Sequence, residues 1–432
     1  MVRPASLLIQ QRQEPYKLSL FDQLTPSTYA PLVLFYASRN DDPYTRIIRL
    51  KESLSQTLDL YYPLSGRVVD NLFVHRFHEG VPFFEAQVNC PISDFLKHHE
   101  IESLMNHLLP CKPFNKEDLR APVLACQVSV FSCGGIALGI SFSHKLIDGG
   151  TAKGLNDTWS SFSRGDASGV VPPVLGEASH FFPPRQSFPQ NHLSLMESIW
   201  FTEGNYITRR FLFDAKAIAS LKAKAAIGNP EAKPSRIETL SCFIWKCCMS
   251  ATKALGSPKS SILVEAVNLR HRTKPPMSDA SISNNFWWAV AMAQPTDEKK
   301  ELHDQLNLLN EAIALYDTDY THSLQGEEGA DAMGEFLNQL EEFVTLEKPD
   351  IFAFTSWLGL TKLNFGWGEP FWVGLMGKVG PAFKNLTVFI ETKDGKGIEA
   401  WITLDEARMK ILEHDSNFLA FCSPNAKLIS SL

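Results

Sequence analysis

The sequence predicts a mixed α/β protein of two domains, and three observations support this prediction. Runs with the alternation of β-strands and runs with the apolar spacing of helices follow one another in both halves. The 432 residues exceed what one hydrophobic core usually holds, since single cores seldom grow beyond about 300 residues. Residues 165–189, rich in proline, glycine and serine, predict a linker. We therefore expect domains over 1–164 and 206–432, joined by a connecting segment over 165–205.

The first half is predicted to hold one helix and two pairs of strands. Apolar residues at helical spacing predict the helix, which Pro63 and Gly66 end. Two β-rich runs separated by His78, Glu79 and Gly80 predict a hairpin, and two later runs predict a second pair of strands. The predicted elements are the helix at 50–61, the hairpin strands at 68–77 and 81–88, and the second pair at 122–130 and 135–143.

The second half is predicted to begin with a strand and then to mix helices with strands. A helix is expected to start near Asp214, and a hairpin is expected to turn about Lys393, Asp394 and Gly395. The predicted strands lie at 207–213, 261–269, 351–356, 386–390 and 397–404, and further helices lie at 237–254 and within 298–346.

Charge and cysteine content narrow the function classes. With 41 basic and 48 acidic residues, the formal net charge of −7 gives no electrostatic case for a nucleic-acid or anionic-membrane partner. No apolar run approaches the roughly 20 residues of a spanning helix, and the start lacks a signal sequence. The cysteines form no CxxC pair that would indicate a zinc or redox site. We expect a cytoplasmic monomer without a metal.

The most informative segment is 141–150, which contains the motif HxxxDG. A predicted strand ends at His144, and two glycines then allow a tight turn into a helix predicted over 151–162. With an ordinary pKa near 6.5, histidine at neutral pH can accept a proton from an alcohol or amine and return it to a leaving group. Asp148 is expected to fix the loop through an ion pair or a hydrogen bond. The segment is therefore a candidate general-base site.

Three other interpretations of this segment stay open. His144 and Asp148 would share a helical face as metal ligands, although no third ligand is evident nearby. His144 would equally fit a structural role, because HxxxD is short and matches often by chance. A hydrolase with Ser141 or Ser143 as the nucleophile would need a G-x-S-x-G turn, which neither serine has.

Further motifs accompany HxxxDG in order along the chain. The segment Asn364 to Gly368 reads NFGWG. HxxxDG, NFGWG and six further sequence blocks resemble those of the plant BAHD acyl-CoA-dependent acyltransferases, and the resemblance extends over about residues 5–428. Within that family, the sequence is most similar to the vinorine synthase-like branch of alkaloid O-acetyltransferases. The other matching blocks are LSLFD at 18–22, LKESLS at 50–55, YPLSGR at 62–67, VNLR at 267–270, TSW at 355–357 and DGKGIEA at 394–400.

The resemblance implies a fold of two similarly sized domains related to chloramphenicol acetyltransferase, each a mixed sheet with flanking helices. A channel between them admits the CoA thioester from one face and the acceptor from the other. In the family, a segment near the second motif crosses to the opposite domain. We expect that crossing within 351–376, with 165–205 as the long crossover loop between the domains.

The resemblance also implies roles for individual residues. His144 would act through Nε2 as the general base, with direct attack of the acceptor on the thioester and no acyl-enzyme. Asp148 would point away from the substrate and pair with Arg270. Trp367 would either lie near the channel, where it is sometimes credited with oxyanion stabilisation, or pack in the core. Asp148 and Arg270 are therefore expected to be structural residues at the edge of the site.

Two positions depart from the family pattern. Asn364 replaces the aspartate of DFGWG, a motif whose members, including Gly366 and Trp367, are expected to be mainly structural. Because Asn keeps one acceptor oxygen, we expect the substitution to leave activity intact. Asn284 and Asn285 stand where the family often has Gly-Asn.

No tightly bound cofactor is expected, and acyl-CoA, with acetyl-CoA as the favoured donor, would be a co-substrate. Thr355 and Ser356 are candidates to line the pantetheine arm. Lys253, Ser257 and Lys259 are candidates for the CoA phosphates, although lysines in such a stretch are often only a solvated face.

The acceptor is expected to be a small-molecule alcohol, and a largely apolar alkaloid is favoured. Members acting on shikimate or quinate carry an arginine where this chain has Gly359, and Leu358, Leu360 and Leu363 suggest an apolar pocket around it. The alternatives are acylation of a terpene or phenolic alcohol, an alkaloid rearrangement or cyclisation without acyl transfer, and a non-catalytic binding protein.

Overall fold

Two large sheets, of five and seven strands, organise the protein, and the predicted mixed α/β class with two sheet-and-helix halves is confirmed. The computed structural model describes residues 1–39, 42–98, 100–112, 114, 121–187, 189–227, 233–256, 258–297, 300–375 and 382–424. The strands are β1 (Tyr16–Lys17), β2 (Tyr29–Tyr36), β3 (Arg67–Val69), β4 (Phe73–His75), β5 (Phe83–Val88), β6 (Leu124–Phe131), β7 (Ile136–Ser143), β8 (Phe201–Thr202), β9 (Tyr206–Phe213), β10 (Ser261–Asn268), β11 (Phe286–Ala293), β12 (Asp350–Trp357), β13 (Trp372–Gly374), β14 (Ala382–Phe383), β15 (Leu386–Glu391), β16 (Ile398–Asp405) and β17 (Ser423–Pro424).

Helices cover both large sheets. In the second half, α10 packs against its neighbours α9, α11 and α14. The helices are α1 (Leu7–Gln10), α2 (Leu20–Leu24), α3 (Pro43–Leu60), α4 (Ile92–Phe95), α5 (Ile101–Leu104), α6 (Gly149–Arg164), α7 (Glu177–Phe181), α8 (Gln190–Trp200), α9 (Ala215–Ala225), α10 (Arg236–Ala254), α11 (Leu302–Ala314), α12 (Thr318–Ser323), α13 (Gly326–Glu347), α14 (Glu406–Leu412) and α15 (Ser416–Leu419). None of the helices described has the length and apolar character that a membrane span requires.

The five-stranded sheet has the order β13-β2-β7-β6-β5, and its central strand β7 is buried along its whole length. Within β7, a Cβ at Gly139 would lie 1.9 Å from the carbonyl oxygen of Leu108, so only glycine allows this close approach. The indole of Trp159 in α6 donates a hydrogen bond of 3.0 Å to the carbonyl of Leu50 in α3. Strand and helices together fix the residues that follow β7, beginning with His144.

The seven-stranded sheet has the order β11-β10-β12-β15-β16-β9-β17. Strands β10 and β12 are parallel, but their register ends with the pair Glu265 and Phe354. Beyond this point the last residues of β12 continue to pair with β15 alone. The ends of β10 and β12 that no longer pair with each other include Asn268, Thr355 and Ser356, and these three residues line a cavity between the two halves.

The two halves exchange segments. Strand β13 pairs antiparallel with β2 at the edge of the five-stranded sheet, although it follows β12 of the seven-stranded sheet. The crossing is expected within residues 351–376. Residues 351–357 of this segment stay in the seven-stranded sheet as part of β12, and residue 376 lies outside the described residues. In the opposite direction, Phe21 of α2 packs against Phe182 and Trp287 with ring-centre distances of 4.7 and 5.3 Å. These exchanges tie the halves together around the cavity.

Three local predictions are wrong. The run 68–77 is itself a hairpin of β3 and β4, because Asp70 and Asn71 adopt left-handed backbone angles and reverse the chain there. The expected partner strand instead lies in the five-stranded sheet as β5, parallel to β6. The stretch 165–189 is not free of regular structure, since it contains helix α7. Strands β2, β11 and β13 were not predicted at all.

Candidate active site

His144 stands directly after the central strand β7, at the wall of the cavity. Its backbone N–H donates a hydrogen bond of 2.8 Å to the carbonyl of Thr28, which anchors the loop to the start of β2. Asp148 caps helix α6 by accepting a 2.8 Å hydrogen bond from the N–H of Thr151. The loop between β7 and α6 is thus fixed at both ends, and the imidazole has a defined position.

The cavity has a volume of about 490 Å³ and lies between the two sheets. This volume falls within the range of small-molecule sites, roughly 300–1,000 Å³. A minority of its lining residues are polar, and they include the ionisable side chains of His144, Asp148, Glu265 and Arg270 as well as Asn268, Thr355 and Ser356. Large apolar side chains supply most of the remaining wall: Phe21, Leu24, Met196, Trp200, Phe201, Phe286, Trp287, Trp288, Trp357, Leu375, Val388 and Trp401. Such a wall suits a bulky, largely apolar ligand.

The imidazole of His144 has Asn284 as its side-chain partner. Nδ1 of His144 lies 3.1 Å from Oδ1 of Asn284, and Nδ2 of Asn284 donates a 2.6 Å hydrogen bond to the backbone carbonyl of His144. The same Nδ2 donates to Oδ1 of Asp22 at 2.9 Å. Sequence reasoning named Asn284 only as a departure from a pattern and gave Asp22 no role, because neither is near His144 in the chain.

Burial lowers the pKa of His144, while the hydrogen bond to the amide oxygen of Asn284 and the charge of Asp148 oppose this shift. The neutral imidazole is therefore favoured at neutral pH, with one nitrogen free to accept a proton.

Neither Ser141 nor Ser143 is among the cavity-lining residues, which removes the support for a serine hydrolase. In the described part of the chain, no group of three His, Cys, Asp or Glu side chains is placed to hold a metal ion.

Asp148 pairs with Arg270, through two hydrogen bonds of 2.8 and 3.0 Å. Both side chains are buried, and Arg270 also donates to the carbonyl of Ser281 at 2.9 Å. Burial opposes ionisation, but the Arg270 guanidinium holds the pKa of Asp148 below its usual range. A Cβ at Gly150 would lie 2.9 Å from the guanidinium carbon, so this glycine makes room for the pair. The pair connects the loop after β7 to the chain after β10.

The two aromatic side chains of the NFGWG segment, Phe365 and Trp367, lie in the core of the first half, whereas Asn364 is half-buried and Gly366 is exposed. Oδ1 of Asn364 accepts hydrogen bonds from the N–H groups of Gly366 and Gly368, at 2.8 and 3.0 Å. Trp367 stacks on Phe365 with a ring-centre distance of 5.9 Å and is not among the cavity-lining residues. These contacts favour the core-packing interpretation of Trp367 over a part in oxyanion stabilisation.

The residues expected to contact CoA fall into two places. Thr355 and Ser356 line the cavity. Lys253 and Lys259 line a separate small depression that shares no residue with the cavity, and Ser257 lies outside the described residues. The expectation that Leu358, Gly359, Leu360 and Leu363 shape the pocket is wrong: none of them lines the cavity, because the chain leaves β12 there and crosses to the first half.

A model of the Transferase family matches residues 1–419. The chain belongs to this family, the BAHD acyltransferases. It is therefore an acyltransferase of the type that uses acyl-CoA as a co-substrate. The family assignment made from the motifs is confirmed.

Relatives of this BAHD acyltransferase cover nearly the whole chain. Akuammiline synthase 2 of Alstonia scholaris is 37% identical over 95% of this chain and 92% of its own length. Limonoid 7-O-acetyltransferase of Citrus sinensis is 33% identical over 94% of each chain. Vinorine synthase of Rauvolfia serpentina is 32% identical over 92% of this chain and 91% of its own. A crystal structure of vinorine synthase superposes with a TM-score of 0.81 at 28% identity, covering 98% of this chain and 96% of that one.

Proposed function

We propose that this acyltransferase moves an acetyl group from acetyl-CoA to a hydroxyl of an alkaloid, with His144 as the general base. The observation that carries the proposal is the position of His144, whose ring is held by Asn284 on the wall of a largely apolar cavity and whose pKa is lowered by burial. The names of the relatives add support, since one of them acetylates a limonoid hydroxyl and others belong to the vinorine synthase-like alkaloid acetyltransferases.

The reaction follows from one base and an activated thioester. Nε2 of His144 takes the proton of the acceptor hydroxyl as its oxygen forms a bond to the thioester carbonyl carbon. The resulting tetrahedral intermediate collapses by breaking the carbon–sulfur bond, and the proton passes from Nε2 to the departing thiolate. The products are an acetyl ester and CoA with a free thiol. No acyl-enzyme forms, because the attacking oxygen belongs to the acceptor.

The remaining residues position the reactants. Thr355 and Ser356, at the divergence of β10 and β12, would contact the pantetheine arm. Asp148 and Arg270 hold the loop and take no proton from the substrate. Lys253 and Lys259 stay candidates for the CoA phosphates at the surface, outside the cavity itself.

The aromatic wall supports an apolar polycyclic acceptor. Trp200, Trp287, Trp288 and Trp357 all line the cavity, and indole rings pack favourably against a fused ring system. A tryptophan face also attracts a protonated amine through cation–π contact, worth about 0.5–2 kcal/mol. Both properties match an alkaloid alcohol, whereas a terpene alcohol would use the apolar contacts alone.

The test is turnover of the purified protein with acetyl-CoA and a panel of alkaloid, terpene and phenolic alcohols, with products weighed by mass spectrometry. We expect an alkaloid substrate to gain one acetyl group, and the His144→Ala variant to be about 10²–10⁴ times slower. Acetylation restricted to terpene or phenolic alcohols would overturn the alkaloid assignment. A product of unchanged mass would indicate rearrangement, and no product from any acceptor would leave a binding role.

A further inference from the structure

The cavity wall carries one acidic side chain that the proposed reaction does not use. Two of the residues that line the cavity are acidic, Asp148 and Glu265. Asp148 is bound to Arg270 by two hydrogen bonds, whereas Oε2 of Glu265 is buried and has no hydrogen-bond partner among the described residues. Burying a carboxyl oxygen without a partner costs free energy, and in the wall of a cavity a ligand can supply the missing contact.

Glu265 lies where β10 and β12 separate, on the side of the sheet that faces helix α10. The indole of Trp245 in α10 donates a 2.8 Å hydrogen bond to the hydroxyl of Ser261, and alternate residues of a strand share a face. Glu265 therefore faces α10 as Ser261 does. In β12, its register partner Phe354 and the next residue on that face, Ser356, also line the cavity. The cavity thus continues between the two strands towards α10.

The surroundings of Glu265 favour a protonated carboxyl at neutral pH. Burial and the charge of Glu238 in α10 raise the pKa of Glu265 to about 8, and the hydroxyl of Ser241 opposes the shift, although it does not meet Oε2 at hydrogen-bond geometry. Cys242 of α10 is a neutral neighbour, because burial raises the pKa of its thiol, and the register partners of Glu265 in β11 and β12 carry no charge. A protonated carboxyl donates a hydrogen bond, which a carboxylate does not.

The position of Glu265 along β10 corresponds to the middle of a pantetheine arm. The ring of Phe286 lies 5.8 Å from the ring of His144, and Phe286 pairs with Asn268 of β10. Asn268 therefore marks the depth of the general base, and Glu265 lies about 10 Å further back along the strand, at about 3.3 Å per residue. The second amide of an extended pantetheine arm lies about 8 Å from the sulfur, at about 3.3–3.6 Å for each three bonds of chain. Amide and carboxyl are thus at similar distances from His144.

We propose that Glu265, in its protonated form, donates a hydrogen bond to an amide carbonyl of the pantetheine arm and so favours the binding of acyl-CoA. The proposal deepens the function proposed above and rests on the placement of this arm between β10 and β12. A slender chain with amide groups suits a passage between two strands better than a fused-ring acceptor does. An ionised Glu265 would lose the donor and would repel a ligand that carries phosphates. Acyl-CoA is therefore expected to bind more weakly as Glu265 ionises.

The test is the dissociation constant of S-ethyl-CoA for the intact protein at pH 7 and pH 9, measured by isothermal titration calorimetry. This thioether does not ionise at sulfur and transfers no acyl group, so binding is measured without turnover. With a pKa of about 8, roughly one tenth of the Glu265 side chains stay protonated at pH 9, and the dissociation constant should rise about tenfold. At pH 9, titrations in two buffers of different ionisation enthalpy should show the uptake of about one proton per bound ligand.

Two variants separate this effect from other titrations. Glu265→Gln keeps an N–H donor but cannot ionise, so its dissociation constant should stay within about threefold of wild type at pH 7 and change less than about twofold by pH 9. The matched control is Glu413→Gln, because Glu413 is also half-buried but pairs with Arg209 and does not line the cavity. This control should keep the tenfold change. Lys145, with a pKa of about 7, titrates in all three proteins and cancels in the comparison.

Three results would overturn the proposal. The first is wild-type binding that does not change between pH 7 and pH 9, which is measurable even if Glu265→Gln does not fold. The second is tighter binding at pH 9, which would make the carboxylate an acceptor for an N–H of the ligand. The third is an equal tenfold change in Glu265→Gln, which would assign the pH dependence to another group.

The outcome is distinguishable from a failure of the proposed function. Because S-ethyl-CoA binds without an acceptor, wild-type protein with the expected pH dependence but no acetyl transfer would refute the proposed function and leave the role of Glu265 standing. Acetyl transfer to an alkaloid together with pH-independent binding of S-ethyl-CoA would do the reverse.

Discussion

Asp148→Asn tests whether the aspartate of HxxxDG serves structure or chemistry. The substitution keeps the size of the side chain and one oxygen that can still cap helix α6 through the N–H of Thr151. It removes the charge that faces Arg270 through two hydrogen bonds, in a pair whose side chains are only 3% and 4% exposed. Loss of one member of a buried pair leaves the other charge uncompensated, which costs about 3–5 kcal/mol.

The assay for Asp148→Asn is urea unfolding, extrapolated linearly to water, together with kcat at a temperature where the variant is still folded. The matched control is Asp214→Asn. Asp214 caps helix α9 at an exposed site, and its contact to the N–H of Ala217 is 2.7 Å. Because Asn and Asp are about equally good caps, the control should change the free energy of unfolding by less than about 0.5 kcal/mol.

We expect the folded Asp148→Asn protein to keep kcat within about tenfold of wild type, because Asn284 rather than Asp148 contacts the imidazole. The reasoning is refuted if stability changes by less than about 1 kcal/mol while kcat falls as far as in His144→Ala. That combination would give Asp148 a direct part in the reaction.

Two further predictions concern Asn364 and Lys145. Asn364→Asp retains the oxygen that accepts the N–H hydrogen bonds of Gly366 and Gly368, so its turnover should stay within about twofold of wild type. Asn364→Ala loses both hydrogen bonds, and its free energy of unfolding in urea titrations should fall by about 1–2 kcal/mol. A wild-type protein that turns over only after the Asn364→Asp substitution would contradict the structural role of Asn364. Burial lowers the pKa of Lys145 to about 7. Between pH 7 and about 10.4, the lysine is therefore mostly protonated in the unfolded chain and mostly neutral in the folded protein. Because the unfolded state binds more protons there, the free energy of unfolding should rise with pH, by at most about 1.4 kcal/mol per pH unit, relative to the Lys145→Met variant. Parallel pH dependence in wild type and variant would refute the assignment.

The elements around His144 were predictable because their signals are local. Alternating small and apolar residues predicted the strand pair that the structure has as β6 and β7, and glycines after His144 predicted the start of α6. The error at 68–77 also has a local cause. Asp70 and Asn71 tolerate left-handed angles, but the apolar pattern on either side resembles one continuous strand.

The partners of the site were not predictable, because they come from distant parts of the chain. Asn284 reaches His144 across 140 residues and Asp22 reaches Asn284 across 262, and no periodicity connects them. The cavity wall is similar in this respect. Leu358 and Leu363 were expected in it because they surround Gly359, the position where members that bind shikimate or quinate carry an arginine, yet the crossing after β12 carries them away from it. Resemblance supplied the pairing of Asp148 with Arg270, which spacing alone would not have given.

The central claim is that His144 activates an acceptor hydroxyl for direct attack on acetyl-CoA. The most direct measurement is the amount of CoA released and of acetylated alkaloid formed by wild-type protein and by His144→Ala in the same reaction. We predict equal amounts of CoA and acetyl ester with the wild type, and rates about 10²–10⁴ times lower for both in the variant. Equal rates in the two proteins, or alkaloid conversion without release of CoA, would contradict the account.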